Sequence, residues 1–328
     1  MKASVVISVR NRSQMLLDCF RGLAAQTLDK GQFEVVVIDN CSTEDLGPVL
    51  GQARDALGLQ IRSARTARDN GPAPARNIGA GMASGEVIAF TDSDCRPTPE
   101  WLERGLAAFE ARAVAMVSGP VLAKPEQSAT FTSKTSFVTA TEHPTFPTAN
   151  LMVRRQVFEA MGGFDISLSF SDPFGRATEC ADTDLAWRII GAGHQRRFVA
   201  EAVVHHELEA QGFLLWLLEP TRLFLVPELV RRHPGLRDSL LWAGLFFHPR
   251  GVLLYLGLLL LGLVAWVEPM ALAALPAALL SWAVIRKRTL DPRTLLAFCM
   301  RAPLHACKLL VMNLSLLYGS IRFRSVVL

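Results

Sequence analysis

The sequence predicts an α/β fold built on a mostly parallel sheet flanked by helices, with a C-terminal α-helical region associated with a membrane. Through the first half of the chain, short β-branched runs alternate with helix-like segments, which is typical of a parallel sheet wrapped by helices. Beyond residue 212 the chain becomes strongly apolar and contains two long runs without charge. These observations divide the 328 residues into a large domain over residues 1–211 and a helical region over residues 212–328.

Three nearly continuous apolar runs in the first half predict strands that are covered on both faces, because such strands have no polar side. Each run is followed by a helix-like segment. The strands are expected at residues 5–9, 34–38 and 86–90, and the helices at residues 15–26, 46–57 and 100–109.

The pattern from residue 114 to residue 206 is looser and is interpreted as the second half of the same domain. Short strands are expected near residues 115–119 and 199–205, and helices at residues 155–161 and 182–190.

Residues 212–250 predict an amphipathic, interfacial helical linker. Apolar patches in this segment are interrupted by Pro220 and Pro227 and are followed by several arginines, a pattern that suits helices lying at a membrane surface. An ordinary amphipathic packing helix is the alternative interpretation.

Residues 251–328 predict a membrane helical hairpin followed by a basic amphipathic tail. The uncharged runs at residues 251–267 and 270–285 are at the short end of what crosses a bilayer, and Glu268-Pro269 forms the expected turn. Basic residues flank both ends of the hairpin, which places both ends in the cytoplasm by the positive-inside bias. A re-entrant or buried hairpin is the alternative. The tail at residues 295–317 carries Arg301, His305 and Lys308 and is expected to form a surface helix.

The composition excludes several classes of protein. With 50% hydrophobic and 20% charged residues, the chain is not a disordered one. The net charge of +4 is not collected into a basic tract, so no nucleic-acid partner is expected. The six cysteines are scattered without a CxxC pair, which predicts neither a zinc knuckle nor a disulfide framework. The chain opens on a strand-like run and not on a signal peptide, so the catalytic part is expected in the cytoplasm, on the inner face of the inner or plasma membrane.

Polar residues follow each predicted strand and are candidates for a ligand site, because ligands bind at the carboxyl ends of strands in open α/β sheets. Asn11 follows the first strand, Asp39 the second, and Asp92 and Asp94 the third. Two carboxylates one residue apart can hold a hard divalent cation that clamps a diphosphate. A plain Asp-rich turn is the alternative for Asp92 and Asp94.

Three further residues extend this candidate site. Arg76 lies in a loop leading into a helix, where its guanidinium can bind phosphate, although a surface salt bridge is the alternative. Glu179 and Asp182 lie at the start of a helix whose dipole favours their charged forms. Either could remove a proton from an attacking hydroxyl, and a helix cap is the alternative role.

Taken together, these motifs resemble the family 2 glycosyltransferases of the GT-A fold over about residues 3–207. The matching segments are residues 4–12 (SVVISVRNR), 37–43 (VIDNCST), 75–79 (ARNIG), 91–94 (TDSD), 148–150 (TAN), 162–165 (GGFD) and 182–185 (DTDL). The resemblance implies transfer of one sugar from a nucleotide-diphosphate donor, in a single inverting displacement that uses Mg²⁺ or Mn²⁺.

The resemblance also assigns roles to individual residues. Asp94 is expected to bind the metal together with His206, and Asp182 to act as the catalytic base, with Glu179 as its possible substitute. The nucleotide-sugar site is expected to comprise Val9, Arg10, Asn11, Asp39, Arg76, Asp92 and Ser93. Asn150, Asp165 and Trp187 are expected to face the acceptor.

Two departures from the family pattern bear on these roles. Ser8-Val9-Arg10 stands where the family commonly has Pro-Thr-Tyr, so the wall of the nucleotide site is expected to use the Val9 backbone and the Arg10 side chain. Ala181-Asp182 stands in place of the usual Glu-Asp pair. No Gln-x-x-Arg-Trp motif follows the domain, which favours addition of a single sugar over processive synthesis.

The predicted hairpin favours an acceptor that is lipid-linked or lies near the membrane. Two other functions stay open from the sequence. One is a nucleotidyltransferase, although the segment after the first strand lacks the glycines that such an enzyme needs. The other is a membrane-tethered module that binds nucleotide sugars without catalysis.

Overall fold

The computed structural model describes residues 1–172, 174–175, 177–267, 275–289 and 291–328. The chain divides into two compact units, Met1–Gln211 and Gly212–Leu328, and each is described by itself.

The first unit is a mixed α/β unit with a mostly parallel sheet, as the sequence predicts. Its strands are β1 (Ala3–Val9), β2 (Phe33–Asp39), β3 (Ile61–Arg65), β4 (Val87–Phe90), β5 (Cys95–Pro97), β6 (Val114–Ser118), β7 (Val121–Ala123), β8 (Leu151–Arg154), β9 (Ser169–Ser171), β10 (Ala177–Glu179), β11 (Gln195–Phe198) and β12 (Val204–His206). Its α-helices are α1 (Ser13–Ala24), α2 (Gly47–Asp55), α3 (Pro72–Met82), α4 (Trp101–Ala107), α5 (Arg155–Ala160) and α6 (Ala181–Gly191).

The main sheet has seven strands in the order β11-β6-β8-β4-β1-β2-β3. Strand β1 runs parallel to β2 and β4, and only β8 runs antiparallel to its neighbours. The three predicted strands are therefore the three adjacent central strands β4, β1 and β2. Their carboxyl ends meet at one edge of the sheet, as the sequence predicts.

Both faces of the central strands are buried, which explains their continuous apolar sequences. Along β1, Val5 and Ile7 pack into the core shared with α1 and α4, whereas Val6 packs into the core on the opposite face. Alternate side chains of a strand point to opposite faces, so a strand between two helical layers needs apolar residues at every position.

Helix α3 packs closely on the sheet because Gly79 has no side chain. A Cβ at this position would lie 2.6 Å from Val6 Cγ1 and 3.2 Å from Ile38 Cγ1. This close approach fixes the position of Arg76, one turn earlier on the same helix.

A three-stranded sheet with the order β5-β12-β7 lies beside the end of β4. Its register places His206 opposite Cys95, and the backbone N–H of Glu207 donates to the carbonyl of Asp94 at 3.0 Å. A residue late in the unit is thereby brought to the two aspartates that follow β4.

The second unit is helical within its described residues. Its helices are α7 (Phe213–Leu218), α8 (Val226–Arg232), α9 (Pro234–Leu240), α10 (Pro249–Val267), α11 (Leu275–Lys287) and α12 (Pro292–Phe323), with a 3₁₀ segment at Glu219–Leu225. Helix α12 packs over the fully buried Phe224, where Gly319 allows close contact.

Two of these helices, α10 and α12, are long and apolar enough to cross a membrane by length and composition. Along α10, Leu253, Leu259 and Trp266 are 68%, 72% and 87% exposed. The first run of the predicted hairpin is therefore a helix, whereas its turn at Glu268-Pro269 lies outside the described residues.

The second apolar run is described only in part. Residues 275–285 lie in α11, and residues 270–274 of the run lie outside the described residues. The tail predicted as a surface helix lies within the 32-residue α12.

Candidate active site

Two aspartates that follow β4 form a compact cluster with a cysteine and a histidine. The ligand atoms of Asp92, Asp94, Cys95 and His206 all lie within 4.8 Å of one another. Strand β4 supplies the aspartates and β12 supplies the histidine, so the cluster depends on the pairing of β12 with β5.

Two atoms of this cluster, Asp94 Oδ1 and His206 Nε2, face each other at 3.5 Å. Asp94 Oδ1 is buried and accepts no hydrogen bond from any described residue. His206 Nδ1 lies 2.8 Å from the carbonyl oxygen of Glu207. Because a carbonyl only accepts, Nδ1 donates this hydrogen bond, and Nε2 is the ring nitrogen that is placed to bind a metal ion.

A carboxylate oxygen and an imidazole nitrogen that face each other in a buried place can hold a cation between them. A carboxylate oxygen and an imidazole nitrogen suit Mn²⁺, and a carboxylate suits Mg²⁺. The hydrogen bond from Nδ1 to a backbone carbonyl is the kind of contact that orients a metal-binding histidine. The residues present therefore fit a divalent cation at Asp94 and His206.

The two aspartates differ in their electrostatic surroundings. Burial disfavours the charged form of both, but at Asp92 the Arg76 guanidinium, with smaller contributions from His206 and Lys134, lowers the pKa overall. At Asp94, burial together with the nearby charge of Asp92 raises the pKa. A cation at Asp94 would offset both effects.

Arg76 donates hydrogen bonds to two carboxylates, one of which belongs to this cluster. Its Nη2 donates to Asp92 Oδ1 at 2.7 Å, and its Nη1 donates to Glu179 Oε1 at 3.0 Å. The other oxygen of Glu179 accepts the Ala73 N–H in the first turn of α3 at 3.2 Å. Both Glu179 oxygens are therefore engaged, one by a guanidinium and one by the start of a helix.

Asp182 has different surroundings, although it lies only three residues later. It is partly buried in the first turn of α6, where Oδ1 accepts the Thr183 N–H at 2.8 Å and Oδ2 accepts the Thr148 N–H at the long distance of 3.4 Å. Burial raises the pKa of Asp182 to about 6. A carboxylate with this pKa is a stronger base than an ordinary one and is still mostly ionised at pH 7.

The predicted nucleotide residues lie together at the ends of β1 and β2. Val9 pairs with Asp39 in the register of the two strands. Asp39 Oδ1 accepts the Ser42 N–H at 2.8 Å, and the Asn11 N–H donates to Ser42 Oγ at 2.8 Å.

The other predicted nucleotide residues are placed differently. The Arg10 side chain extends to Asp69, at 2.7 Å. Ser93 is buried between the two aspartates.

The three predicted acceptor residues all make structural contacts. Asn150 is 1% exposed, and its amide binds Trp101 Nε1 and the carbonyls of Pro120 and Ala202 at 2.7–2.9 Å. Both amide N–H groups and the oxygen of Asn150 therefore bind within the core.

Asp165 and Trp187 also contact their own chain. Asp165 caps the 3₁₀ turn Ile166–Leu168 through the Ser167 N–H at 2.9 Å. Trp187 donates from Nε1 to the carbonyl of Pro144 at 2.9 Å.

The structure adds site residues that the sequence did not indicate. Arg12 donates from Nη1 to Asp94 Oδ2 and from Nη2 to Glu209 Oε1, the latter at 2.6 Å. Phe137 stacks on the His206 ring with 4.0 Å between the ring centres. Glu209 lies 197 residues from Arg12, so no local pattern could have paired them, and Arg12 carried only the weak signal of its place directly after Asn11.

Comparisons with known proteins agree with this architecture. Residues 4–166 match the family model described as Glycosyl transferase family 2. Glycosyltransferase AglE of Haloferax volcanii is 29% identical over 224 residues, which is 65% of this chain and 69% of that protein. The poly(ribitol-phosphate) beta-N-acetylglucosaminyltransferase TarS of Staphylococcus aureus is 35% identical over 109 residues, which is 33% of this chain and only 19% of that protein.

Two solved structures share the fold. The mannosyltransferase PcManGT from Pyrobaculum calidifontis, in complex with GDP-Man and Mn²⁺, superposes with a TM-score of 0.67 at 19% identity, covering 95% of this chain and 87% of that one. Residues 1–349 of S. aureus TarS, in complex with UDP, superpose with a TM-score of 0.51 at 17% identity, covering 98% and 91%. At these identities the likeness is one of fold.

Proposed function

Because the chain belongs to glycosyl transferase family 2 and is a glycosyltransferase, we propose that it moves a single sugar from a nucleotide-diphosphate donor to an acceptor hydroxyl, with inversion and with a divalent cation. The observation that carries this proposal is the buried oxygen Asp94 Oδ1, which accepts no hydrogen bond from a described residue and faces His206 Nε2 at 3.5 Å. Solved members of the fold hold GDP-Man with Mn²⁺ or hold UDP, which supports a nucleotide-diphosphate donor and a cation here.

Asp94 and His206 would hold the cation, with Asp92 beside them. When bound, Mg²⁺ or Mn²⁺ offsets the charge that develops on the departing diphosphate. Arg76 keeps Asp92 ionised and in place, so that Asp92 can accept a hydrogen bond from the ribose or the sugar.

Asp182 is the catalytic base in this proposal, and Glu179 is a positioning residue. Both Glu179 oxygens are bound by Arg76 and the α3 backbone. At Asp182, Oδ1 accepts the Thr183 N–H, but Oδ2 accepts only the long hydrogen bond from the Thr148 N–H, and the pKa of this carboxyl is about 6. The acceptor oxygen forms a bond to the anomeric carbon while the bond to the diphosphate oxygen breaks. The hydroxyl proton passes to Asp182, so one carboxylate suffices for a single displacement.

The nucleobase and ribose lie at the ends of β1 and β2. Asp39 supplies an acceptor for an N–H of the base, and the Val9 backbone with Arg10 and Asn11 forms the wall. Ser93 and Arg76 lie on the diphosphate side of this site. Asp165 and Trp187 remain in the proposed acceptor region, and Asn150 supports it from within the core through its bond to Trp101.

The acceptor in this proposal is lipid-linked or lies near the membrane, and the second unit anchors the chain on the cytoplasmic face. Residues 212–328 contain 13 Lys and Arg against five Asp and Glu, whereas residues 1–211 contain 21 against 25. A cavity of about 450 Å³ in the second unit is lined by Lys287, Thr294, Phe298, Arg301 and His305. Exposed leucines along α10 and basic residues in the same unit suit a bilayer with anionic headgroups.

Membrane binding is tested by flotation of the full chain with vesicles. We expect the protein to float with vesicles that contain phosphatidylglycerol, and to bind phosphatidylcholine vesicles several-fold less, because basic residues near an anionic surface each contribute about 1 kcal/mol. If the protein stayed in the unbound fraction with both kinds of vesicle, the proposed anchoring would be contradicted. The glycosyl transfer of the first unit would be untouched by that result.

Donor use is tested with a panel of UDP- and GDP-sugars and the detergent-purified chain. We expect one nucleotide sugar to be hydrolysed or transferred in the presence of Mn²⁺, and EDTA to lower that rate at least about a hundredfold, because the leaving diphosphate loses its counter-charge. Binding without turnover across acceptors would instead support the catalytically impaired module. Equal rates with Mn²⁺ and with EDTA would contradict the role of the cation.

A further inference from the structure

Arg12 lies between a proposed metal ligand and a carboxylate at the edge of the site. One guanidinium nitrogen contacts Asp94 Oδ2, and the other lies 2.6 Å from Glu209 Oε1. The Arg12 side chain is 41% exposed, whereas Asp94 is 7% exposed. The guanidinium thus neutralises a buried carboxylate, and the exposed part of the Arg12 side chain leaves room for the guanidinium to change its position.

The backbone beneath Arg12 is held in an unusual conformation. Asn11 and Arg12 have φ angles of 59° and 67°, in the left-handed region that long side chains rarely adopt. Asn11 is fixed by Ser42 and by Thr43, whose N–H donates to Asn11 Oδ1 at 2.9 Å. Arg12 accepts the Leu16 N–H at 2.9 Å at the start of α1. These contacts hold the strained residue in place, so its side chain begins at a defined point on the edge of the site.

The two oxygens of Asp94 face different partners. Oδ2 contacts Arg12, and Oδ1 faces His206 Nε2. A cation at Oδ1 would therefore lie close to a guanidinium of the same sign, and the two charges would repel. A donor diphosphate at the cation would offer Arg12 a new partner, because the planar guanidinium binds phosphate oxygens through two parallel N–H groups.

We propose that Arg12 couples cation binding to donor binding. In the free protein it neutralises Asp94, and when cation and donor are both present it moves to the diphosphate, with Glu209 holding its second nitrogen. The inference rests on the proposed function, since it needs a cation at Asp94 and a nucleotide-diphosphate donor.

The consequence is a coupling free energy between the two ligands. The cation alone meets a competing positive charge, and the donor alone meets an arginine engaged by Asp94. Each ligand removes the obstacle to the other, so each raises the affinity of the other by the same factor.

The coupling is measured by Mn²⁺ titration, following the electron paramagnetic resonance signal of free Mn²⁺, with and without UDP or GDP. The proteins are the wild-type chain, Arg12→Met, Glu209→Gln and the control Arg196→Met. Arg196 is also 41% exposed and pairs with Glu142 at 3.0 Å, but it lies on the edge strand β11. All four share the same Mn²⁺–nucleotide equilibrium in solution, so their differences belong to the protein.

For Arg12→Met we expect Mn²⁺ alone to bind about tenfold more tightly than in the wild type, and the gain in Mn²⁺ affinity from nucleotide to fall about tenfold. For Glu209→Gln we expect Mn²⁺ alone to bind more weakly than in the wild type, because Arg12 has lost the Glu209 carboxylate and pairs with Asp94 instead. Arg196→Met should match the wild type in both titrations.

The inference is overturned if Arg12→Met binds Mn²⁺ alone no more tightly than the wild type, or if its nucleotide effect is unchanged. Should Arg12→Met fail to fold, as judged by circular dichroism, Glu209→Gln decides the matter by the sign of its change. If the wild type itself binds no Mn²⁺ with either nucleotide, the proposed cation site falls together with the inference. If the wild type binds Mn²⁺ and the variants bind it in the same way, the inference about Arg12 fails but the proposed cation site stands.

Discussion

The Asp94→Asn variant is expected to transfer sugar at least about a thousandfold more slowly than the wild type, a loss that corresponds to about 4 kcal/mol of transition-state stabilisation. Asparagine keeps the shape of the side chain but removes the charge that Asp94 Oδ1 presents to the cation. The buried position of this oxygen, 3.5 Å from His206 Nε2, leaves few alternatives for holding the ion. Initial rates at saturating donor, together with Mn²⁺ affinity, measure the effect.

The matched control for this variant is Asp55→Asn, which makes the same change on an exposed residue at the end of α2. It should keep the wild-type rate and Mn²⁺ affinity. A folded Asp94→Asn protein with more than a tenth of the wild-type rate would contradict the metal assignment.

The Asp182→Asn variant is expected to lose about a thousandfold in kcat while it binds the donor normally, because general-base catalysis contributes roughly 10²–10⁴-fold. The wild-type rate should rise with pH through about pH 6, where Asp182 loses its proton, and then level off, since burial raises the pKa of this carboxyl to about 6. The acid limb should be absent from the residual activity of the variant. Initial rates of the wild type and the variant from pH 4.5 to pH 8.5 measure this pH dependence.

Glu179→Gln distinguishes the base from its neighbour. Because Glu179 holds Arg76 and the first turn of α3, its loss should raise the KM for the donor and leave the acid limb in place. If Glu179→Gln removed the acid limb and Asp182→Asn kept it, the two roles would be exchanged.

The central strands could be predicted because a strand that is buried on both faces has apolar residues at successive positions of its sequence. Strand β3 escaped prediction because it lies at the sheet edge, where its side chains are partly or fully exposed and its sequence, IRSAR, carries little apolar signal. Hydropathy indicated the long apolar helix α10, whereas the segment in α12 was expected as a surface helix, and α12 is also long and apolar enough to cross a membrane by length and composition.

The candidate site was predictable where its residues are close in sequence and not where the fold joins distant ones. Asp92 and Asp94 follow one strand and could be identified together. Their contact with His206 depends on the pairing of β12 with β5, and the ion pair of Arg12 with Glu209 depends on the same arrangement. The burial of Asn150 in the core could likewise not be predicted from its residue type.

The helical unit shows the same limit. Lys308 was expected on a polar helix surface, but it lies 2.8 Å from Glu219 and 4.6 Å from the centre of the Trp216 ring. A charged side chain in an apolar helix can thus contact other residues of its own unit. The sequence alone does not distinguish such a side chain from one that is exposed to solvent.

The most direct test of the proposed site is anomalous scattering from a crystal grown with Mn²⁺ and the nucleoside diphosphate that binds best. We expect one strong Mn²⁺ peak beside Asp94 Oδ1 and His206 Nε2, in contact with the diphosphate, and the nucleobase near Asp39. A bound nucleotide with no Mn²⁺ peak there, or with the ion on other residues, would contradict it.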